Sequence, residues 1–309
     1  MAEEHPDPRG DALVSLAATI ERAEAEKHPD GYHNGFPSEA GFFIDYASLH
    51  QKDTNGARTE QERAAFNEAL DTMHLWYAHT MVTAFLTRTL PADYGHLPGY
   101  DERGWTTCES SWAALAKASH IEFGWAPIFD VGNAAYQRPP PMAPAAMARL
   151  VASRRFMSKK SDLPMVIEIN TTTVLSLFRD AEELTYIGLG WGDAEVAKLC
   201  EVLPLCKSLQ ALNLQGNAIG DAGVATLVRV ITSGALPTLE TLGLNGNLIG
   251  AAGEAELAAA IQGGGLDGLK TLCVDEPVPV RKASSAKLLR ACTRRGILLS
   301  EAHAVEQKL

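Results

Sequence analysis

The side chains with the clearest capacity for ligand chemistry lie in the first third of the chain. Asp45 closes the apolar run GFFIDY, which has the length of a buried strand, and open α/β sheets collect ligands at the carboxyl ends of their strands. An arginine can neutralise a phosphate and a tryptophan can stack on a base, which are the roles open to Arg103 and Trp105. Each residue also has a structural explanation: Asp45 as a partner of turn amides, Arg103 as a surface ion-pair partner, and Trp105 as a core residue.

A second group of chemically capable residues, Asp71, His74 and His79, lies on one predicted helix. The two histidines are five positions apart, which rotates them away from a shared face, so a half-buried or solvent-edge histidine is favoured over a metal ligand. The chain has no P-loop, HExxH or GxSxG motif. The sequence therefore predicts no metal site and no certain cofactor.

Apolar runs of strand length alternate with amphipathic helices around these residues. The candidate strands are GFFIDY, MVTAFLT and APIFDV, and helices are predicted over 11–27, 59–80 and 107–118. The helix over 59–80 is the best defined, because it carries an apolar stripe made of Phe66, Leu70, Met73 and Tyr77. Strands that alternate with helices at this spacing favour a parallel α/β sheet.

The order of segments FFIDYASLHQ, MHLWYAHT, MVTAFLT and YDERGWTTCE resembles that of fungal heterokaryon-incompatibility (HET) domains, over roughly residues 42–115. TIR domains, which look related in fold, place a tryptophan before a glutamate at a helix start, as Trp105 and Glu109 do here. The resemblance implies a TIR/HET-like sheet, with NAD as the candidate substrate and Glu109 as the candidate catalytic residue. A carboxylate can stabilise the positive charge that develops on the ribose when nicotinamide leaves. Asp45, Arg103 and Trp105 are then the candidate ligand-binding residues.

Two alternatives stay open for this part of the chain. Thr106 and Glu109 form a TxxE capping box, in which both side chains satisfy backbone N–H groups at a helix start. No strand-like run precedes the helix over 11–27, whereas TIR-like sheets begin with a strand that lines the ligand crevice. The second alternative is therefore a truncated, inactive family member without its first strand.

Two near-identical stretches begin at Leu209 and Leu239 and share the pattern LxxLxLxxNxIGxAGxAxLxxxI. A third start follows at Leu269, and a degenerate copy, LTYIGLGWG, begins at Leu184. The pattern resembles leucine-rich repeats of the ribonuclease-inhibitor type, in which each unit is one short strand and one helix. The resemblance implies a short solenoid of strand–helix repeats of about 30 residues.

Within each repeat, the strand leucines are predicted to fill the core. The amides of Asn217 and Asn247 are expected to satisfy backbone groups at the turn that leaves each strand. The remaining strand positions are expected to form an exposed concave face that binds a protein partner. An intramolecular packing role for this face is the alternative. The candidate partner-binding residues are Tyr186, Ala211, Asn213, Gln215, Thr241, Asn245, Thr271 and Asp275.

Composition and charge exclude several kinds of partner for this chain. A formal net charge of −11 and a pI near 5.3 argue against nucleic-acid binding. The basic stretch from Arg281 to Arg295 is expected to be an amphipathic end helix with a solvated face. Five scattered cysteines without a CxxC motif indicate reduced thiols, and no run reaches the roughly 18 apolar residues of a bilayer span.

Together these observations predict an α/β protein with two domains, placed in the cytoplasm. Residues 1–136 are expected to form a TIR/HET-like parallel sheet with flanking helices, 137–182 a linker and helical connector, and 183–309 a leucine-rich repeat solenoid with a C-terminal capping helix. The favoured function is regulatory protein–protein interaction, with self-association of the first domain as a further expectation and no membrane or nucleic-acid partner. NAD glycohydrolase activity and an inactive family member are the alternatives.

Overall fold

The computed structural model describes residues 11–25, 55–80, 82–88, 98–119, 127–131, 136–275 and 282–300. The chain divides into two units, each built from several segments. The first unit comprises Met1–Ala113, Ile121–Tyr136 and Arg149–Asn170, and the second comprises Ala114–His120, Gln137–Ala148 and Thr171–Leu309. None of the described helices is long and apolar enough to span a lipid bilayer.

The first unit contains a two-stranded parallel sheet. Strands β1 (Ala84–Leu86) and β2 (Ile128–Asp130) pair with Ala84 opposite Ile128 and Leu86 opposite Asp130. Both strands fall in apolar runs that the sequence predicts to be strands, and their parallel pairing agrees with the predicted α/β class. The third candidate strand, GFFIDY, and its Asp45 lie outside the described residues.

The described helices of the first unit are α1 (Asp11–Ala25), α2 (Glu60–Ala78) and α3 (Gly104–Ala113), preceded by a short 3₁₀ turn at Tyr100–Glu102. Helix α2 begins with a capping box, in which the Thr59 hydroxyl accepts from the Glu62 amide and the Thr59 amide donates to the Glu62 carboxylate (2.8 Å).

Helices α2 and α3 pack around Trp112, which is completely buried. The rings of His74 and Tyr77 lie 6.1 and 6.5 Å from the Trp112 ring. The Trp112 indole N–H donates to the Asn170 side-chain oxygen (3.2 Å), so the polar edge of this buried ring is satisfied.

Helices α4 (Pro144–Ala152) and α5 (Lys159–Asp180) come next in the chain, and each contributes residues to both units. The repeated helices are α6 (Asp193–Val202), α7 (Asp221–Thr232), α8 (Ala251–Gln262) and α9 (Lys282–Arg295). A 3₁₀ turn at Leu203–Leu205 follows α6.

The strands of the second unit form a five-stranded parallel sheet in chain order. They are β3 (Glu183–Thr185), β4 (Ala211–Asn213), β5 (Thr241–Gly243), β6 (Thr271–Cys273) and β7 (Leu298–Ser300). One leucine of each strand lies in a continuous row across the sheet: Leu184, Leu212, Leu242, Leu272 and Leu299. The first four of these leucines are fully buried, as the repeat pattern predicts for the core.

The register of the first repeat differs from the predicted one. We expected Leu184 to match Leu209, but the structure pairs Leu184 with Leu212. This shift of three residues gives Tyr186 the place of the inward-facing Leu214, and Tyr186 is completely buried. An odd shift in register moves every side chain of a strand to the opposite face, which explains why Tyr186 belongs to the core.

Residues 114–119 and Arg138 cover the β3 end of the repeats. Ser119 bonds the edge of β3, its N–H donating to the Thr185 carbonyl (2.9 Å). The Arg138 guanidinium donates to the carbonyl of Ala114 (2.8 Å), and the Tyr186 hydroxyl donates to the carbonyl of Leu115 (2.5 Å). This edge of the sheet is therefore partly covered by residues of the same unit.

Asparagine amides join consecutive repeats. The Asn217 side-chain oxygen accepts from the N–H groups of Leu189 (3.0 Å) and Trp191 (3.1 Å) in the preceding repeat, and its NH₂ donates to the carbonyls of Tyr186 (2.7 Å) and Leu214 (2.9 Å). The expected bonding of this amide to its own turn is confirmed, and the same amide also bonds the turn of the preceding repeat.

Asn247 repeats the arrangement one unit later. Its oxygen accepts from the Ile219 N–H (3.0 Å), and its NH₂ donates to the carbonyls of Leu214 and Leu244 (both 2.9 Å). Both asparagines are buried. Each amide thus satisfies backbone groups that water cannot reach.

Acidic residues cap the helix of the following repeat. The Asp193 carboxylate accepts from the Gly220 N–H (2.7 Å), and the Asp221 carboxylate accepts from the N–H groups of Gly250 (2.7 Å) and Gly253 (2.9 Å). A Cβ at Gly253 would lie 2.7 Å from the Asp221 carboxylate, so a glycine is required at this close approach. These carboxylates bind at helix N-termini, where negative charge is favoured.

The Asn217 amide provides a direct stability test. We predict that Asn217→Ala lowers the free energy of unfolding by about 3 kcal/mol, because each buried backbone group left unpaired costs about 1–3 kcal/mol. Urea denaturation followed by circular dichroism measures the change. Gln210→Ala removes an exposed amide from the same repeat and is the control. Equal stabilities of the two variants would show that the amide does not hold the turns together.

Buried Lys117 predicts a pH dependence of stability. Burial, and secondarily the nearby Arg138 cation, lowers the pKa of Lys117 from 10.5 to about 7. Between pH 7 and 10.5, Lys117 is therefore protonated in the unfolded chain and largely neutral in the folded protein. Burial of Lys117 lowers the free energy of unfolding most at pH 7 and below, and least near pH 10.5.

We predict that Lys117→Met stabilises the protein at pH 6.5, and that its advantage over the unsubstituted protein shrinks as the pH rises to 10. Urea denaturation at several pH values measures this difference. Lys207→Met, at an exposed lysine, should show no such trend. An advantage for Lys117→Met that is the same at pH 6.5 and 10 would contradict a lowered pKa.

Candidate functional sites

Glu109 lies in the middle of helix α3 and is buried, with 6% of its surface exposed. Helix α3 begins at Gly104, two residues before Thr106. The Thr106 hydroxyl donates to the carbonyls of Tyr100 and Arg103. The capping-box interpretation of Thr106 and Glu109 is therefore wrong, because the helix starts earlier than the motif requires.

The surroundings of Glu109 are strongly desolvated. Burial, and then the Glu109 carboxylate, raises the pKa of the Tyr100 phenol well above its usual value. The same two causes raise the pKa of the Cys108 thiol. Both groups stay protonated at neutral pH, so Cys108 is an inert thiol and not a nucleophile.

Arg103 and Trp105 flank the start of the helix that carries Glu109, and both are half-buried. The Arg103 guanidinium lies 5.7 Å from the centre of the Tyr100 ring. The Trp105 indole N–H is directed at the Asp162 carboxylate at 3.5 Å, a distance too long for a strong hydrogen bond. The structure thus places three of the four predicted site residues on one segment, and the fourth, Asp45, is outside the described residues.

A cluster centred on Arg88 lies at the carboxyl ends of β1 and β2, and it was not predicted from the sequence. We name it the Arg88 cluster, and its members are Arg88, Tyr100, Asp101, Asp130 and Tyr136. Arg88 forms ion pairs with Asp101 and with Asp130, the latter at 3.8 Å between Nη1 and Oδ2. Its guanidinium lies 5.8 Å from the Tyr100 ring and 5.5 Å from the Tyr136 ring. Tyr100 connects this cluster to Arg103 and Glu109.

A signal for part of this cluster was present in the sequence. Arg88 follows the run MVTAFLT, and Asp130 lies at the end of APIFDV. Carboxyl ends of paired parallel strands meet at one edge of a sheet, so charged residues at both ends are expected to be neighbours. Asp101 and Asp130 together carry more negative charge than Arg88 carries positive charge, so this arrangement does not attract an added anion.

The histidines of helix α2 are separate from these groups. His74 is half-buried, and burial lowers its pKa, with the Asp71 carboxylate acting in the opposite direction. His79 is exposed at the end of the helix. Among the described residues, no set of three or more histidine, cysteine, aspartate or glutamate side chains has the arrangement of a metal site.

The strand face of the second unit is less open than predicted. Tyr186, Asn213 and Asn245 are buried, so their expected exposure is wrong. The register shift explains Tyr186, whereas Asn213 turns back to accept from the Gln215 N–H (3.1 Å). A Cβ at Gly243 would lie 2.7 Å from the Asn213 side-chain oxygen, so Asn213 lies directly over this glycine.

The other predicted partner-binding residues remain accessible. Asp275 is exposed and accepts from the Gly246 N–H (2.6 Å). Ala211, Thr241 and Thr271 occupy aligned positions of three neighbouring strands. The residues that are half-exposed are Ala211, Gln215, Thr241 and Thr271. Two residues that the sequence analysis missed, Glu183 and Leu298, extend the aligned row at its two ends and are exposed.

Comparison with known families agrees with the geometry of the second unit. A family model described as "Leucine Rich repeat" matches residues 205–228. The match covers β4 and most of α7, so this part of the chain contains a leucine-rich repeat motif. No curated protein sequence gives a match.

Proposed function

We propose that this chain is a regulatory protein whose leucine-rich repeats form a short solenoid that binds a protein partner. The observation that carries the proposal is the row of accessible small side chains at Ala211, Thr241 and Thr271, on adjacent parallel strands. Adjacent strands are about 4.8 Å apart, so these residues form a flat surface on which another chain can lie close to the sheet. Leucine-rich repeat motifs generally mediate protein–protein interaction, which supports this assignment.

We assign residues 1–136 to a TIR/HET-like signalling domain that associates with itself or with a partner, 137–182 to a connector, and 183–309 to the solenoid. The parallel pairing of β1 and β2 is compatible with this assignment. The five cysteines are free and buried, which fits the reducing environment of the cytoplasm.

The strand face can be tested by adding bulk to it. We predict that the double variant Thr241→Arg/Thr271→Arg loses its bound protein partner, because two long charged side chains would stand on the flat row. Affinity capture from native extract with quantitative mass spectrometry measures the loss. Ala222→Arg/Ala259→Arg adds the same charge at two exposed helix positions and should keep the partner. Identical sets of captured proteins for both variants would contradict the assignment of the strand face.

A second candidate function is NAD glycohydrolysis with Glu109 as the catalytic carboxylate. The observation that favours it is that Glu109 is a buried carboxylate in the middle of its helix, on the same segment as Arg103 and Trp105. Desolvation strengthens the interaction of a carboxylate with positive charge on a ribose. In this assignment Asp45, Arg103 and Trp105 bind the substrate.

For this second function we predict nicotinamide release from NAD at high protein concentration, and loss of release in Glu109→Gln. The neutral amide keeps the shape of the side chain but cannot stabilise the developing cation. Chromatographic detection of nicotinamide measures the activity. Glu68→Gln, on the exposed side of α2, is the control and should retain it. Release at an unchanged rate by Glu109→Gln, or none by the unsubstituted protein, would eliminate this function.

A further inference from the structure

Helix α9 is the last described helix of the repeats, and its two sides differ in character. One side packs against α8 through four buried residues: Ser285, Leu288, Ala291 and Cys292. The opposite side carries Lys287, Arg290 and Arg294, all exposed. Their spacing of three and then four residues places them on one face of the helix, over about 10 Å. We call these three residues the basic stripe.

The basic stripe has no acidic partner in the described part of the chain. Its neighbour Arg295 does have partners, pairing with the Asp267 carboxylate (2.9 Å) and donating to the Gln262 carbonyl (3.1 Å). No ion pair or hydrogen bond joins the side chains of Lys287, Arg290 or Arg294 to a described residue. The chain as a whole is rich in acids, with 38 acidic residues against 27 basic ones, so among the described residues the lack of acidic partners is particular to this face.

Helix stability alone does not explain the basic stripe. A cation in the last turn, such as Arg294, interacts favourably with the helix dipole, but Lys287 and Arg290 lie too far from the C-terminus to benefit. Like charges three and four residues apart repel one another along a helix. An end helix needs a polar outer face for solubility, which mixed charges provide without this repulsion.

We propose that the basic stripe binds an acidic polypeptide segment whose carboxylates match the spacing of Lys287, Arg290 and Arg294. An acidic helix with glutamates at positions i, i+3 and i+7 fits this stripe residue for residue. This surface is distinct from the strand face, and the proposal does not depend on the function assigned to that face.

Other anionic partners fit the surface less well. The apolar side of α9 is already packed on α8, which leaves only Leu289 on this helix and Leu298 on β7 as exposed apolar residues for insertion into lipid. Nucleic-acid duplexes extend far beyond a 10 Å stripe and would meet the negative field of a chain with a net charge of −11. A short acidic peptide needs no apolar insertion and extends little beyond the stripe, so it meets less of this negative field than a duplex does.

The test uses the full chain and a fluorescent helical peptide with glutamates at i, i+3 and i+7. We predict saturable binding by fluorescence anisotropy at low salt, weakened by added salt because the contacts are exposed ion pairs. The variant Lys287→Gln/Arg290→Gln/Arg294→Gln should bind about tenfold more weakly or less well still. Lys198→Gln/Lys207→Gln/Arg229→Gln removes the same charge from exposed positions elsewhere in the repeats and should bind normally.

Three results would overturn the proposal. The first is equal binding by the stripe variant and its control, and the second is equal binding of a peptide with glutamine in place of glutamate. The third is binding of a DNA duplex or of phosphatidylserine vesicles without binding of the acidic peptide. The strand-face variant Thr241→Arg/Thr271→Arg should bind the peptide normally, so failure of the strand-face proposal and failure of this one are distinguishable.

Discussion

The packing of the repeats depends on satisfying the backbone where each three-residue strand ends. At these turns the chain leaves the sheet inside the protein, where unpaired N–H and C=O groups are costly. Asn217 has a side chain short enough to fit there and carries both donors and an acceptor, and it bonds its own turn and the preceding one. Asn247 does the same for the next pair of turns. The leucine rows supply burial, and the asparagines join the turns of consecutive repeats.

A second constraint operates at the helix starts. Asp193 and Asp221 each bond the start of the following helix, and the glycines there permit the close approach. The series changes at α8, which begins with Ala251 in place of an aspartate. Glu254, three residues later, takes over by accepting from the hydroxyls of Ser284 and Ser285 in α9. The sequence change from IGDAG to IGAAGE therefore keeps a carboxylate contact with the next helix, but the donors are serine hydroxyls in place of backbone N–H groups.

The sequence predicted the parts of the fold that repeat. The leucine rows and the asparagine turns follow from a pattern that occurs twice almost unchanged. The two copies therefore support the same assignment of core and turn positions. The degenerate copy that begins at Leu184 has no such support, because Tyr186 and Trp191 occupy positions where the other copies have aliphatic core residues. The register predicted for this copy was therefore wrong by three residues. Strand β7 was not anticipated, because its run ILLS is short and follows a helix without a repeat motif.

The candidate sites were less predictable because they depend on contacts between distant segments. The position of Glu109 in its helix depends on where that helix starts. This start is set by a backbone contact, in which the Gly104 N–H donates to the Arg155 carbonyl (2.8 Å). Arg88 and Asp130 are brought together only by the pairing of β1 with β2. Burial of Asn213 follows from the glycine at position 243 on the adjacent strand, which a single-strand pattern does not reveal.

Native-state hydrogen exchange at the asparagine-bonded turns tests the central claim most directly. If the side-chain amides lock consecutive repeats, the backbone N–H groups of Leu189, Trp191 and Ile219 should exchange only on unfolding of the whole repeat unit, as slowly as the core amides of β4 and β5. Exchange of these three amides at the rate of exposed loop amides would show that the turns open independently, and that the asparagines do not hold the repeats together.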